Sequence, residues 1–226
     1  MYTLPKNLVK KIYLVGSASF LGSMCSFLTS LLIVRMLTPE DLGYWSSSLS
    51  IATVIVFFIG FGLPQLYIKM VASKEASEGL LRTSMGLMAK SFVMIATAVI
   101  VILIMANYFK FSDPEYYLVA ALLPFSLGQS ISEFAVCYYQ SKYKFFAVAF
   151  WQLIGPMSRF FLLILFIAIF ESNSSIIALA FSCAGFLATL IFIREIRLQL
   201  GKLSGALAAS LDSDISIKYV LKRSVP

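Results

Sequence analysis

The sequence contains no histidine, and only 13% of its 226 residues are charged. Without an imidazole, haem proteins, zinc hydrolases and imidazole-dependent acid–base enzymes lose their usual ligand or base. No Gly-rich loop of the Walker type occurs either, which argues against direct ATP hydrolysis. The sequence therefore predicts a protein that is not an enzyme, with no catalytic residues, no cofactor and no metal site.

Cysteine is also scarce. The three cysteines, Cys25, Cys137 and Cys183, are scattered, and each falls inside an apolar run. An odd number of separated cysteines argues against a disulfide framework and against a metal site. We therefore expect them to act as small apolar packing residues.

Apolar residues make up 60% of the chain, and the mean hydropathy is +0.89, which is typical of an integral membrane protein. A helix needs about 20 apolar residues to cross a bilayer. Six runs meet that length, so the predicted fold class is an all-α integral membrane protein with six transmembrane helices. The predicted spans are residues 12–36, 44–68, 88–109, 116–139, 145–170 and 176–193. Residues 1–196 form the predicted bundle, and 197–226 a cytoplasmic linker with the start of a seventh helix.

The net charge of +7 is explained by membrane topology rather than by nucleic-acid binding. With six spans, 14 of the 18 lysines and arginines fall in four regions on one side: the two tails, and the connections between spans two and three and between spans four and five; Lys90 lies just inside the third span at the same end. Basic loops stay in the cytoplasm. The sequence thus predicts a multi-pass protein with both termini cytoplasmic, and residues 38–41, 112–115 and 172–175 facing the periplasm.

Local signals predict how the helices begin, pack and break. Thr38 can cap a helix that starts with Pro39 and two acids. Small residues every four positions give the first helix a face for close packing; they are Ala18, Gly22, Ser26 and Ser30. Glycines and prolines predict a bend or break in three helices; they are Gly60, Gly62, Pro64, Pro124 and the Gly155–Pro156 pair.

Ionisable residues inside the fourth and fifth spans are the candidates for function. Ser126, Gln129 and Glu133 share one helical face, and Gln152 and Arg159 share another. At 1.5 Å per residue, Glu133 lies about 10 Å and Arg159 about 23 Å from the cytoplasmic ends of their helices, too far apart for an easy ion pair. Arg159 is therefore predicted level with Ser126, and two interpretations stay open: it lines a hydrated cavity that receives an anion, or it extends to the outer interface.

The motif RMLTPEDLGY at residues 35–44, followed by GFGLPQ at 60–65, resembles the opening hairpin of the polysaccharide flippases. These belong to the multidrug/oligosaccharidyl-lipid/polysaccharide exporter superfamily. The C-terminal residues 218–226 are similar to the start of that family's seventh helix. The resemblance implies a MATE-like fold of two bundles with roughly 12–14 helices, of which this chain is one bundle. On that basis we expect a fragment, a truncated product or half of an assembly.

The resemblance also implies a function: flipping an undecaprenyl-diphosphate-linked oligosaccharide across the bacterial inner membrane, by alternating access, for surface polysaccharide such as O-antigen. Its partners would be the lipid-linked oligosaccharide, membrane lipids, and polysaccharide polymerase and chain-length proteins. The candidate substrate-binding residues are Arg159, Arg35, Gln129 and Gln152, and Glu133 is the candidate for coupling to an ion. The alternatives are a drug/cation antiporter of the same superfamily, a membrane-embedded glycosyltransferase or polymerase, and a non-transporting assembly protein.

Overall fold

The computed structural model describes residues 6–72, 78–108, 114–170 and 173–207. Every regular element in these ranges is an α-helix, which confirms the predicted all-α class. The eight helices are α1 (Lys6–Met36), α2 (Pro39–Gly60), α3 (Leu63–Ala72), α4 (Glu78–Tyr108), α5 (Pro114–Ala121), α6 (Leu123–Ser141), α7 (Phe145–Ile169) and α8 (Ser174–Leu207).

Within the described ranges, five stretches are long and apolar enough to cross a membrane: Val9–Met36, Pro39–Val71, Thr83–Met105, Phe145–Ile169 and Ser174–Ile196. They coincide with predicted spans one, two, three, five and six. The predicted fourth span consists of α5 and α6, which are separated only by Leu122. The count of six transmembrane helices therefore stays a prediction.

The turn between α1 and α2 has the predicted cap. Thr38 Oγ1 accepts a hydrogen bond from the Asp41 backbone N–H at 3.2 Å and donates one to Asp41 Oδ2 at 2.8 Å. Pro39 occupies the first turn, where its missing N–H costs nothing, and Glu40 and Asp41 lie at the positive end of the helix dipole. These contacts fix a tight hairpin between the first two helices.

Two of the three predicted helix breaks are present. The chain leaves α2 through Phe61 (φ 41°) and Gly62 (φ 68°), a left-handed pair that redirects it into α3. Leu122 interrupts the helix just before Pro124. Near this second break, the Ser182 hydroxyl of α8 donates to the Ala121 carbonyl. A polar side chain therefore bonds backbone at the break, as a lipid environment demands.

At the third site the helix does not break, since α7 continues through Pro156 as one helix, and the predicted bend there stays a prediction. Proline cannot donate to the carbonyl one turn earlier, which belongs to Gln152. That carbonyl faces Gly22 of α1, where an added Cβ would lie 3.2 Å from the oxygen. Gly22 and Ala18 are buried against α7, which confirms the predicted packing face for this half of α1.

Among the described residues the core forms three clusters, and two of them lie at opposite ends of the bundle. The first of these clusters contains residues of α3, the first half of α4, the end of α6, the start of α7 and the second half of α8. The second contains residues from the end of α1, the start of α2, α5, the end of α7 and the start of α8. Consecutive spans therefore alternate in direction. The first cluster lies at the lysine-rich end, where Lys11 Nζ sits 5.3 Å from the centre of the Phe145 ring.

Helices α6 and α8 cross at two glycines, Gly128 and Gly185. A Cβ built on Gly128 would overlap the Gly185 backbone, and one built on Gly185 would overlap the backbone of Pro124 and Phe125. Next to this crossing, Ser126 and Ser130 of α6 donate to the Ala52 and Val56 carbonyls of α2, at 3.0 and 2.8 Å. Small residues and hydroxyls thus hold α6 against both neighbours.

Helix α8 extends to Leu207, past the predicted domain boundary at residue 196. The chain from 208 to 226, which contains most of the predicted linker and the start of the seventh helix, lies outside the described residues. The division into two parts therefore stays a prediction.

The proposed topology has a direct test. We expect a cysteine at Glu40 or Ser175 to react with a membrane-impermeant maleimide in intact cells, and one at Lys144 to react only after the cells are opened. The three positions are exposed turn or helix-end sites, and Cys25, Cys137 and Cys183 would first be replaced by alanine. Labelling of Lys144→Cys but not Ser175→Cys in intact cells would invert the orientation.

Candidate functional site

Arg159, on α7, lies half-buried between α6 and α8. Its Nε donates to the Gly155 carbonyl at 3.2 Å, which directs the side chain along its own helix. The guanidinium carbon is 5.5 Å from the centre of the Phe125 ring and 5.7 Å from that of Phe181. Cation–π contacts are worth about 0.5–1 kcal/mol at exposed sites and about 2 kcal/mol when desolvated. The two rings therefore hold the charge in place within the bundle.

No carboxylate among the described residues forms an ion pair with Arg159. Glu133 is exposed and accepts a hydrogen bond from Gln129 Nε2 at 3.2 Å, one turn away on α6. The guanidinium instead lies beside Phe125, the neighbour of Ser126, as the depth argument predicts. Arg159 is thus a cation without a protein counter-charge in the described part of the chain.

A cavity of about 240 Å³ opens beside the Arg159 side chain, between α1, α2, α7 and α8. Its polar wall comes from α1 and its apolar wall from α2 and α8. The lining residues are Ser26, Thr29, Ser30, Ile33, Val34, Leu42, Trp45, Leu49, Arg159 and Phe181. A cationic group and three hydroxyls therefore face one concave space that lies within the predicted membrane region.

On its other side Arg159 lines a second, much smaller cleft of about 10 Å³ between α6, α7 and α8. Gln129 and Ser132 supply its polar atoms, and Gly128 and Gly185 allow the helices to close it. Gln129 in turn bonds Glu133. The structure therefore brings Arg159 and Gln129 to one cleft and places Glu133 outside both spaces.

The other two candidate residues lie apart from this cavity. Gln152 is half-buried on α7, and its side-chain Oε1 is buried without a hydrogen-bond partner. Arg35 is exposed in the last turn of α1 and does not line the cavity, although its neighbour Val34 does. The described residues contain no group of three or more cysteine, aspartate or glutamate side chains able to hold a metal ion.

The aromatic part of the site was missed by sequence reasoning. Trp45 and Phe181 meet edge to face with ring centres 5.0 Å apart, and Phe125 lies 5.5 Å from Phe181. In a chain with 20 phenylalanines, nothing in the local pattern distinguishes these rings from packing residues. The second half of the small-residue face, Ser26 and Ser30, was assigned to packing and instead lines the cavity.

The model of a family described as "Polysaccharide biosynthesis protein" matches residues 8–207, nearly the whole helical region. No curated protein and no solved structure gives a significant match. Because the family model covers far more than half of the sequence, the chain belongs to the polysaccharide biosynthesis protein family.

Proposed function

We propose that this chain is one bundle of a flippase for lipid-linked oligosaccharide. Its substrate is a saccharide repeat unit on undecaprenyl diphosphate, which moves from the cytoplasmic to the periplasmic leaflet of the bacterial inner membrane. The single observation that carries the proposal is Arg159: a half-buried cation, without an acid partner in the described residues, beside a cavity within the membrane region. Membership of the polysaccharide biosynthesis family supports it.

A substrate of this kind needs a polar path through the membrane. A glycan headgroup with a diphosphate cannot cross hydrocarbon, because each desolvated polar or charged group costs several kcal/mol, roughly. A charge buried in a span usually faces a wet interior rather than lipid. Two bundles that rock about a midplane site expose it to each side in turn, while the lipid tail stays in the bilayer. Polysaccharide polymerase and chain-length proteins are its proposed partners on the periplasmic side.

An anionic substrate is favoured over the organic cations of an antiporter. The cavity wall carries a cation, Arg159, and no carboxylate. The candidate carboxylate Glu133 is exposed and bonded to Gln129, outside the cavity. In the proposed mechanism Glu133 binds the coupling ion. Its hydrogen bond with Gln129 connects this event to the cleft that Arg159 lines.

A leaflet-resolved assay tests the proposal. In cells that lack their own flippase, lipid-linked repeat units accumulate in the cytoplasmic leaflet, and we expect the intact gene to move them to the periplasmic leaflet and restore surface glycan. Periplasmic accessibility of the glycan to an added glycosidase is the measurement. Repeat units that stay cytoplasmic, although the protein is present in the membrane at normal abundance, would refute the flippase function.

A further inference from the structure

The charged donor of the cavity is Arg159. A guanidinium has five N–H donors in a planar fork. Arg159 uses Nε on the Gly155 carbonyl, and its terminal N–H groups bond no acceptor among the described residues. Phe125 and Phe181 hold the guanidinium from the α6 and α8 side. The remaining N–H groups therefore suit a planar two-oxygen anion, such as a carboxylate, or a phosphate.

The opposite wall, from α1, offers the reverse chemistry. Thr29 Oγ1 donates its only hydrogen to the Cys25 carbonyl at 2.7 Å, and Ser30 Oγ donates to the Ser26 carbonyl at 3.1 Å. Each oxygen keeps lone pairs but has no hydrogen left to donate. Ser26 Oγ, the third hydroxyl of this wall, donates to no acceptor among the described residues and keeps its hydrogen. Two of the three hydroxyls therefore favour a ligand that brings its own hydroxyl donors, and a group with acceptor oxygens alone gains at most one bond from this wall.

The third surface of the cavity is aromatic. The Trp45 and Phe181 rings pack edge to face beside the cavity, and Leu42 and Leu49 extend this apolar wall along α2. The C–H face of a sugar ring is apolar and flat, so it can pack against this wall. Acceptor oxygens, a cation and an aromatic wall are thus all within one space.

Size selects among the parts of the substrate. Pockets that enclose drug-sized ligands measure roughly 300–1,000 Å³, so a cavity of about 240 Å³ holds a group no larger than one sugar ring. The carrier diphosphate, esterified at both ends, has acceptor oxygens only. From these four properties we infer that the cavity binds one acidic sugar residue of the repeat unit, its carboxylate on Arg159 and its hydroxyls donating to Thr29 and Ser30. This inference rests on the proposed function.

Trp45 makes binding measurable without transport. The chain has two tryptophans, so in a Trp151→Phe background Trp45 alone reports from the cavity. We expect sodium glucuronate to change Trp45 emission saturably in the purified protein in nanodiscs, inorganic diphosphate at equal concentration to change it less, and glucose to leave it unchanged. Arg159→Gln is expected to abolish the response. Ser30→Ala, which removes one acceptor, is expected to weaken apparent affinity about three- to tenfold.

Ser23→Ala is the matched control for Ser30→Ala. Ser23 lies on the same helix, is exposed and donates to the carbonyl four residues earlier, but does not line the cavity. We expect it to bind glucuronate as the parent does. Thermal unfolding of each variant near the parent temperature shows that the fold is kept.

The outcomes separate this inference from the proposed function. A response to inorganic diphosphate at least as strong as that to glucuronate, an equal response to glucose, or no response to any ligand would each overturn the acidic-sugar site, while restored glycan in the leaflet assay would leave the flippase function standing. Conversely, a glucuronate response in a protein that fails the leaflet assay would remove the flippase function and leave a sugar-acid site in the membrane.

Discussion

Arg159→Gln is expected to abolish surface glycan while the protein still inserts at normal abundance. A central guanidinium costs about 2.5–3.5 kcal/mol on insertion scales, and here no acid among the described residues offsets it. Such a residue is retained for binding rather than for stability. Arg159→Lys keeps the charge but loses the planar fork and fits the two aromatic rings less well, so we expect a partial loss of glycan.

The packing alternative predicts the opposite order. If Arg159 served the fold alone, Arg159→Leu would be tolerated or even stabilising, because it removes the desolvation cost. The measurement is glycan yield per unit of membrane-inserted protein, in the protein encoded by the intact gene. Arg194→Gln is a suitable control, because Arg194 is exposed near the end of the apolar span Ser174–Ile196 and does not line the cavity. Wild-type glycan from Arg159→Leu would rule out a role for Arg159 in binding.

Structural features that depend on a few neighbouring residues could be predicted from the sequence. Three such features follow from the type of residue at or next to the constrained backbone. They are the Thr38 cap, the left-handed exit from α2 at Gly62 and the interruption before Pro124. The length of the apolar runs likewise located five of the spans. The isolation of Arg159 from Glu133 followed from the rise per residue of a helix, which places the two side chains at different depths.

Features that depend on contacts between helices could not be predicted in this way. Pro156 does not break α7, and the carbonyl that it leaves free packs against Gly22 of α1, a contact that the local sequence does not show. Ser26 and Ser30 repeat at the spacing of a packing face, yet they line a cavity because α2 and α8 leave space there. Phe125 and Phe181 meet Arg159 only after three helices have packed.

The largest effect on stability is expected at the crossing of α6 and α8. In Gly128→Ala the new Cβ would overlap the backbone of Gly185, which cannot move as a side chain does. The helices must separate, which weakens the hydroxyl bonds from Ser126 and Ser130 to α2. Overpacking of this kind costs about 1–3 kcal/mol or more, so we expect Tm to fall by about 5–10 °C. Gly128→Leu should leave almost no folded monomer in detergent.

Two other glycines supply matched controls for Gly128→Ala. An added Cβ meets nothing within 4 Å at Gly16 in α1 or at Gly86 in α4. Alanine is about 1 kcal/mol better than glycine inside a helix, so these variants should be as stable as the parent or slightly more so. The measurement is thermal unfolding in detergent, monitored by size-exclusion chromatography. It ranks the variants by the temperature at which each loses its folded monomer. If Gly128→Ala unfolds at the same temperature as Gly16→Ala, the two helices are not in backbone contact, and the narrow cleft beside Arg159 is wider than the structure shows.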